Sequence, residues 1–348
     1  MIDIARQRLS YLLFPQQSPS GAFFVYNGHI LFKEKSLVVS RSEYHGIVVV
    51  DKPAGMTSHD VVNVARKLFQ TKRIGHTGTL DPDATGVLVL CLGQATRLAE
   101  YLSASQKHYH AEVTFGITTN TQDASGEILH KRDASDLTRE TVDAVLPQFR
   151  GNIQQIPPMV SAVHYQGKRL YELAREGITV ERAPRTVEIS HLEMTHWQPG
   201  DNPTATLEIT CSTGTYIRTL AADIGDAVET GAIMATLRRL WVGDSQHHFA
   251  LENASTLDQL QERAATEALA EIVLSMRLAV ASWTQAILTP EQVTEIKMGR
   301  FLPLDAVTFA VKSDAYAPIA LLDEAGTVCA LGKIEADTLR PVKVLLEQ

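Results

Sequence analysis

Residues 75–86 read GHTGTLDPDATG, and the apolar run VLVLCLG follows at once. A glycine- and threonine-rich loop that passes straight into a Val/Leu run implies a buried strand with the loop at its end. Glycine permits backbone shapes closed to other residues. Pro82 disfavours the helical region for Asp81 and holds that residue extended. The product is a stiff loop that presents one carboxylate beside a sheet. By turn chemistry alone the same residues also describe an ordinary turn.

Upstream, GIVVVDKPAGMTSHDVV opens at Gly46 with a continuous apolar strand over residues 47–50. A turn-rich loop carrying Lys52 follows. Ser58 is the expected N-cap of an amphipathic helix with Val61, Val64, Ala65 and Leu68 on one face, ending near Phe69. Downstream, GQATRLAEYL reads as a loop entering a short helix. KHYHAEVTFG alternates as a strand, with Tyr109 at its start. ITTNTQDASGEI is a polar turn holding Asp123, and LEITCSTGTYIRTLAADIG reads as a strand and then a helix. Tyr216 and Arg218 stand two apart, so on a strand they share a face. Thr256 and Gln259 form a capping box that opens an acidic helix running to about residue 270 and bridging two domains. The tail, with PIALLDEAGTVCALGKIEADTLRPVKVLL, has short strands and Gly turns.

A chain of 348 residues suits two domains. Cys91, Cys211 and Cys329 are few, far apart and without a CxxC pair. That pattern argues against a disulfide framework or zinc site and fits a reducing cytosol. No stretch approaches the roughly 20 apolar residues of a membrane span. The early YLLF run falls short of the roughly 7–15 residues of a signal core. The reading is cytoplasmic, with no membrane association.

GHTGTLDPDATGVL resembles the catalytic signature of the TruB-type pseudouridine synthases, and GIVVVDKPAGMTSHDVV resembles their other N-terminal motif. The match is long and gap-free. It implies an α+β fold: a mixed, largely antiparallel sheet flanked by helices, an RNA-gripping insertion and a small β-barrel-like C-terminal domain. The expected divisions are an extension at 1–44, a catalytic domain at 45–250 with the insertion at about 148–185, a helical linker at 251–282 and a PUA-like RNA-binding domain at 283–348. Residues 1–44 have no counterpart in the family. They are either an appended hairpin or, as expected here, an upstream start with poor order.

By resemblance, Asp81 is the nucleophile, Tyr109 stacks on the target base, and His76 fills the space that base vacates in the RNA. Tyr216 and Arg218 enter the active site, the arginine pairing with Asp81, and Leu237 lines the uracil pocket. Asp123 sits where the family carries a supporting aspartate. Lys52 is either a surface lysine in a turn or a structural or RNA-contacting one. FRGNIQQIPPMVSAVHYQGKRLYELAREG resembles the bacterial insertion, where Lys168, Arg169 and Arg175 interleave with Tyr165 and Tyr171, a pattern suited to phosphate contact and stacking. One departure is His164, where the family usually has lysine. The net charge of −8 is no obstacle, because six basic residues face three acidic ones between residues 150 and 185.

The resemblance implies isomerisation of uridine-55 in the transfer-RNA T loop, without metal or other cofactor. The partner is the T arm of tRNA, and a monomer with no obligate protein partner is expected. A carboxylate suits the task, since its reference pKa of about 3.9 leaves it ionised at pH 7. Arg218 is expected to keep it charged even when bound RNA excludes water, since an opposite charge lowers a carboxylate pKa. Attack at C6 or at C1′ stays open, as does the group that moves the C5 proton. Two other readings are an RNA-folding chaperone that grips the T arm and a guide-RNA-dependent synthase of the dyskerin type. A glycoside hydrolase built on Asp81 and Asp83 lacks a facing pair of carboxylates.

Overall fold

The computed structural model describes residues 23–26, 29–32, 44–161, 164–165, 167–244, 246–311 and 318–346. The chain divides into two compact units, Met1–Arg41 and Ser42–Gln348. In the first, β1 (Phe23–Tyr26) and β2 (His29–Phe32) pair antiparallel, with Phe23 opposite Phe32. Within this segment the described residues form a two-stranded hairpin. The expectation of poor order falls mostly on residues 1–22 and 33–43, outside the described residues.

In the second unit the two apolar runs find each other. β3 (Gly46–Lys52) and β5 (Thr85–Leu92) are antiparallel, Lys52 opposite Gly86, and both are buried along nearly their whole length. Between them lie α1 (Ser58–Leu68) and the short β4 (Ile74–His76). Thr57, not Ser58, caps α1: its side chain accepts the Asp60 amide, and Asp60 returns the bond. Ser58 is freed for another task. Its Oγ accepts from the Leu80 amide at 2.8 Å and donates to the Leu80 carbonyl at 3.1 Å, pinning the residue before Asp81. Val61, Val62 and Ala65 form the buried face, while Val64 is only half-buried.

Next come α2 (Ala99–Ser103), β6 (Gln106–Phe115), the hairpin β7 (Ile117–Thr119) and β8 (Ile128–Lys131), α3 (Arg139–Val145) and β9 (Gly151–Gln155). The chain then leaves the sheet through β10 (His164–Tyr165), β11 (Lys168–Arg169) and α4 (Leu170–Arg175). It returns as β12 (Arg185–Gln198), which pairs with β9, so the first part of the expected insertion is a sheet strand. β13 (Thr204–Cys211), α5 (Ile217–Ala227), β14 (Ala232–Gly243) and β15 (His248–Ala250) complete the domain. The sheet order is β3-β5-β14-β6-β13-β12-β9, with β4 on β5 and β15 on β14. Only β5 and β14 run parallel within it, which is the mixed, largely antiparallel sheet expected. α3 and α5 contribute Val142, Leu220 and Ile224 to the core on one face of that sheet.

Residues 251–282 carry α6 (Leu257–Ala265) and α7 (Met276–Ala279) along the free edge of β3. Ser255 and Leu274 exchange backbone hydrogen bonds with that strand, which protects an otherwise open edge. The Thr256–Gln259 capping box forms as expected, though α6 stops at Ala265. The C-terminal module contains β16 (Gln285–Leu288), α8 (Pro290–Lys297), β17 (Leu302–Pro303), β18 (Thr308–Val311), β19 (Ile319–Asp323), β20 (Val328–Glu335) and β21 (Thr338–Val344). Its six strands form one sheet, an open half-barrel. Ala320, Leu322 and Leu331 share a core with Ile47, Val49 and Val87. The module is therefore packed on the nine-stranded sheet.

Candidate active site

The loop between β4 and β5 is held in place from below. Gly86 sits opposite Arg239 with φ +101°, and a Cβ there would lie 2.2 Å from the Arg239 carbonyl oxygen. Only glycine lets β5 approach β14 this closely. Lys52 closes the other side. Its ammonium, fully buried at 0% exposure, donates to the Pro53 and Pro82 carbonyls at 2.7 and 2.8 Å. The Gly55 amide also donates to Pro82 at 3.0 Å. Lys52 is thus a brace between two loops, not a surface lysine. Burial lowers its pKa, and Asp83 and Asp81 push back.

Asp81, Asp83, Asp123, Val160, Arg218 and Leu237 line a cleft of about 520 Å³, a size typical of small-molecule sites. Arg218 is the hub. It is 5% exposed; its Nη2 donates to the Val160 carbonyl at 2.7 Å and lies 3.5 Å from Asp81 Oδ1, while Nη1 lies 3.5 Å from Asp123 Oδ2. Asp123 is fixed in turn, Oδ1 accepting from Thr121 Oγ1 at 2.7 Å and from the Ser125 hydroxyl at 2.6 Å. The Ala124 amide donates to Met234 at 3.1 Å, stitching the β7–β8 loop to β14. Asp123 therefore reaches the cleft itself.

Burial outweighs Arg218, which pulls the Asp81 pKa down in the direction expected of it. Burial raises the Asp81 pKa; Arg218 offsets part of this, and Asp123 adds to it. The guanidinium is shared among three acceptors and sits no closer than 3.5 Å to this one. Although 39% of the Asp81 side chain stays open, the cleft walls crowd the rest.

Tyr216 and Arg218 do not share a strand. β13 ends at Cys211, a turn follows, and Tyr216 is the N-cap of α5 with Arg218 in its first turn. They remain neighbours, the guanidinium carbon 5.9 Å from the Tyr216 ring centroid. Tyr109 is buried among Leu80, Ala84 and the core beneath the loop. Burial raises its phenol pKa, and Arg239 draws it down. His76 is half-buried on β4 and does not line the cleft; burial lowers its pKa, and Arg239 adds to that. Lys168 is exposed and paired with Glu176 at 2.9 Å, apart from the cleft. The side chains of His164, Arg169, Tyr171 and Arg175 lie outside the described residues.

Three contributors were not read from the sequence. Ser58 was taken for a cap. Buried Gln155 accepts the Tyr216 amide at 2.7 Å and donates to its carbonyl at 3.0 Å, fixing the start of α5. Arg239, in LRRLWVG, lies beneath the loop. Among the described residues no His/Cys/Asp/Glu group is arranged to hold a metal, and no helix is long and apolar enough to cross a membrane.

Residues 66–217 match the family model described as TruB family pseudouridylate synthase (N terminal domain), and residues 218–281 match the tRNA pseudouridylate synthase B C-terminal domain. A protein named tRNA pseudouridine synthase B from Moorella thermoacetica is 42% identical over 315 residues, 86% of this chain and 99% of its own. The chain belongs to the TruB family of pseudouridine synthases. It is an isomerase of that class. A second TruB-family relative of the same name, from Symbiobacterium thermophilum, is 51% identical over 219 residues, 63% of this chain and 72% of its own. The fold is shared with a chain of the archaeal box H/ACA Nop10–Cbf5 complex, at TM-score 0.65 and 23% identity over 87% of this chain and 86% of that one. The two TruB matches meet at the first turn of α5, so Asp81 falls in one and Arg218 in the other.

Proposed function

We propose that this TruB-family protein converts uridine-55 in the T loop of transfer RNA to pseudouridine, with Asp81 as the nucleophile. The observation that carries the reading is the Asp81 carboxylate in a base-sized cleft, 3.5 Å from a buried guanidinium and floored by Leu237. The tRNA substrate is named in the relatives described above.

The uridine leaves its stack, at a cost of a few kcal/mol, and enters the cleft beside Leu237. Asp81, ionised, attacks either C6 of the base or C1′ of the sugar. The N1–C1′ bond breaks, the uracil turns, and C5 bonds to C1′. The C5 proton is lost, N1 gains one, and the carboxylate is released, so the product is an isomer of the substrate. Arg218 balances the Asp81 charge once RNA has sealed the cleft from water. Residues 156–184 grip the T arm, and the C-terminal half-barrel serves as a PUA-like RNA-binding module.

The test uses an unmodified tRNA transcript with tritium at uridine C5. The wild-type protein should release tritium without added guide RNA, and a U55C transcript should abolish release. Asp81→Asn should bind the transcript yet release almost nothing. Release by that variant at the wild-type rate sinks the nucleophile assignment, and a requirement for guide RNA favours the dyskerin-type alternative.

A further inference from the structure

Arg239 heads the largest fully buried side chains of the described residues, at 1% exposure. No described carboxylate lies within ion-pair distance of it. A guanidinium removed from water costs several kcal/mol unless its donors are met, so its contacts are informative. Nε donates to the Val87 carbonyl at 2.7 Å and Nη2 to the Gly78 carbonyl at 3.0 Å. Gly78 lies on the way into the Asp81 turn, and Val87 is where the chain leaves it. Arg239 also lies directly opposite Tyr109 across β14 and β6. Directly paired residues project to the same face, so the guanidinium and the phenol share one side of the sheet, and the charge of Arg239 draws the phenol pKa down against burial.

One side chain therefore holds both ends of the Asp81 loop and faces the tyrosine beneath it across the sheet. We infer that Arg239 is a positioning residue for the isomerisation, fixing the separation between the Asp81 loop and the Tyr109 hydroxyl. It does not line the cleft and so acts through those two groups. The task suits a planar fork with five donors better than the point charge of a lysine. Lys107 beside it is no substitute, because its ammonium already serves the Ser103 and Ser105 carbonyls at 2.6 and 2.5 Å. The contact can also be reached from the loop: a Cβ on Gly78 would sit 3.5 Å from Arg239 Nη1, so a branched side chain there displaces the fork.

The inference rests on the pseudouridine synthase reading of the cleft. Arg239→Lys, Tyr109→Phe and the double variant are compared by single-turnover tritium release, tRNA affinity and NMR of 13Cζ-labelled tyrosine without RNA. Arg239→Lys should slow release by about 10- to 100-fold while tRNA Kd stays within about threefold. Most of that loss should vanish in the Tyr109→Phe background, because the two groups act as a unit. The Tyr109 Cζ resonance should move in the lysine variant. Additive losses, or a wild-type rate for Arg239→Lys, overturn the inference. If the lysine variant does not fold, Gly78→Val should give the same slowed release, unchanged affinity and moved resonance, and a wild-type result for it overturns the inference equally. A wild-type protein that releases no tritium, with the resonance still moved, sinks the proposed function and leaves the clamp. An active enzyme with an unmoved resonance does the reverse.

Discussion

Lys107 offers a quantitative test of the charged layer beneath the loop. It is buried on β6, and burial, with Arg239 nearby, pushes its pKa from the ordinary 10.5 down to about 8. At about 1.36 kcal/mol per unit, keeping this lysine charged in the folded protein costs on the order of 3 kcal/mol at pH 7. The sign follows from proton counting. Between about pH 8 and 10.5 the unfolded chain holds the proton and the folded chain does not, so stability from this group rises with pH. Lys107→Met removes the titration. It also strips a donor from the Ser103 and Ser105 carbonyls, a loss of about 1–3 kcal/mol that does not vary with pH. In urea unfolding, the stability of wild type minus variant should therefore grow by about 2–3 kcal/mol from pH 7 to pH 10. Groups that do not sense the Lys107 charge titrate alike in both proteins and cancel. A difference that stays flat across this range refutes the account of a buried, desolvated ammonium.

Gly86→Ala should lose about 2–5 kcal/mol by thermal unfolding, from positive-φ strain and a 2.2 Å clash with the Arg239 backbone; unchanged stability would contradict the close approach of β5 and β14. The proposed attack requires Asp81 to be ionised, and burial raises its pKa, so single-turnover release should fall with acid already above the usual carboxylate range. Arg218→Gln removes the largest charge opposing that rise and should move the acid limb further up; a limb that stays put would show that Arg218 does not act on Asp81 electrostatically.

The Asp81 loop was legible because its chemistry is local. Glycines, Pro82 and the apolar run constrain the backbone without help from distant residues. The sheet was legible for a similar reason, since residues 47–50 and 87–92 carry the continuous apolar runs of doubly covered strands. Tyr216 and Arg218 were placed on the wrong element because alternation in LEITC continues visually into STGTYIR, and the turn at 212–215 lacks proline. Ser58 looked like a cap, yet Thr57 next to it could satisfy the same amide and left Ser58 free. Arg239 and Gln155 were out of reach for another reason. Their roles depend on cross-strand register and on contacts more than 60 positions away, which no local pattern encodes. The net rise of the Asp81 pKa was not legible because motif spacing reports the presence of Arg218 but not how deeply the cleft buries the carboxylate.

The other acceptors of Arg218 carry a consequence. The shortest contact of Arg218 is to Val160, in the segment that leaves the sheet after β9, at 2.7 Å against 3.5 Å to each carboxylate. Val160 and Asp81 thus draw on one guanidinium, and linkage makes any competition between them reciprocal. Displacing Val160 should free the guanidinium for Asp81 and make it a stronger acid, and protonating Asp81 should leave the guanidinium to Val160. Under the proposed function, a transcript that is bound but fails to move Val160 would therefore be left unmodified.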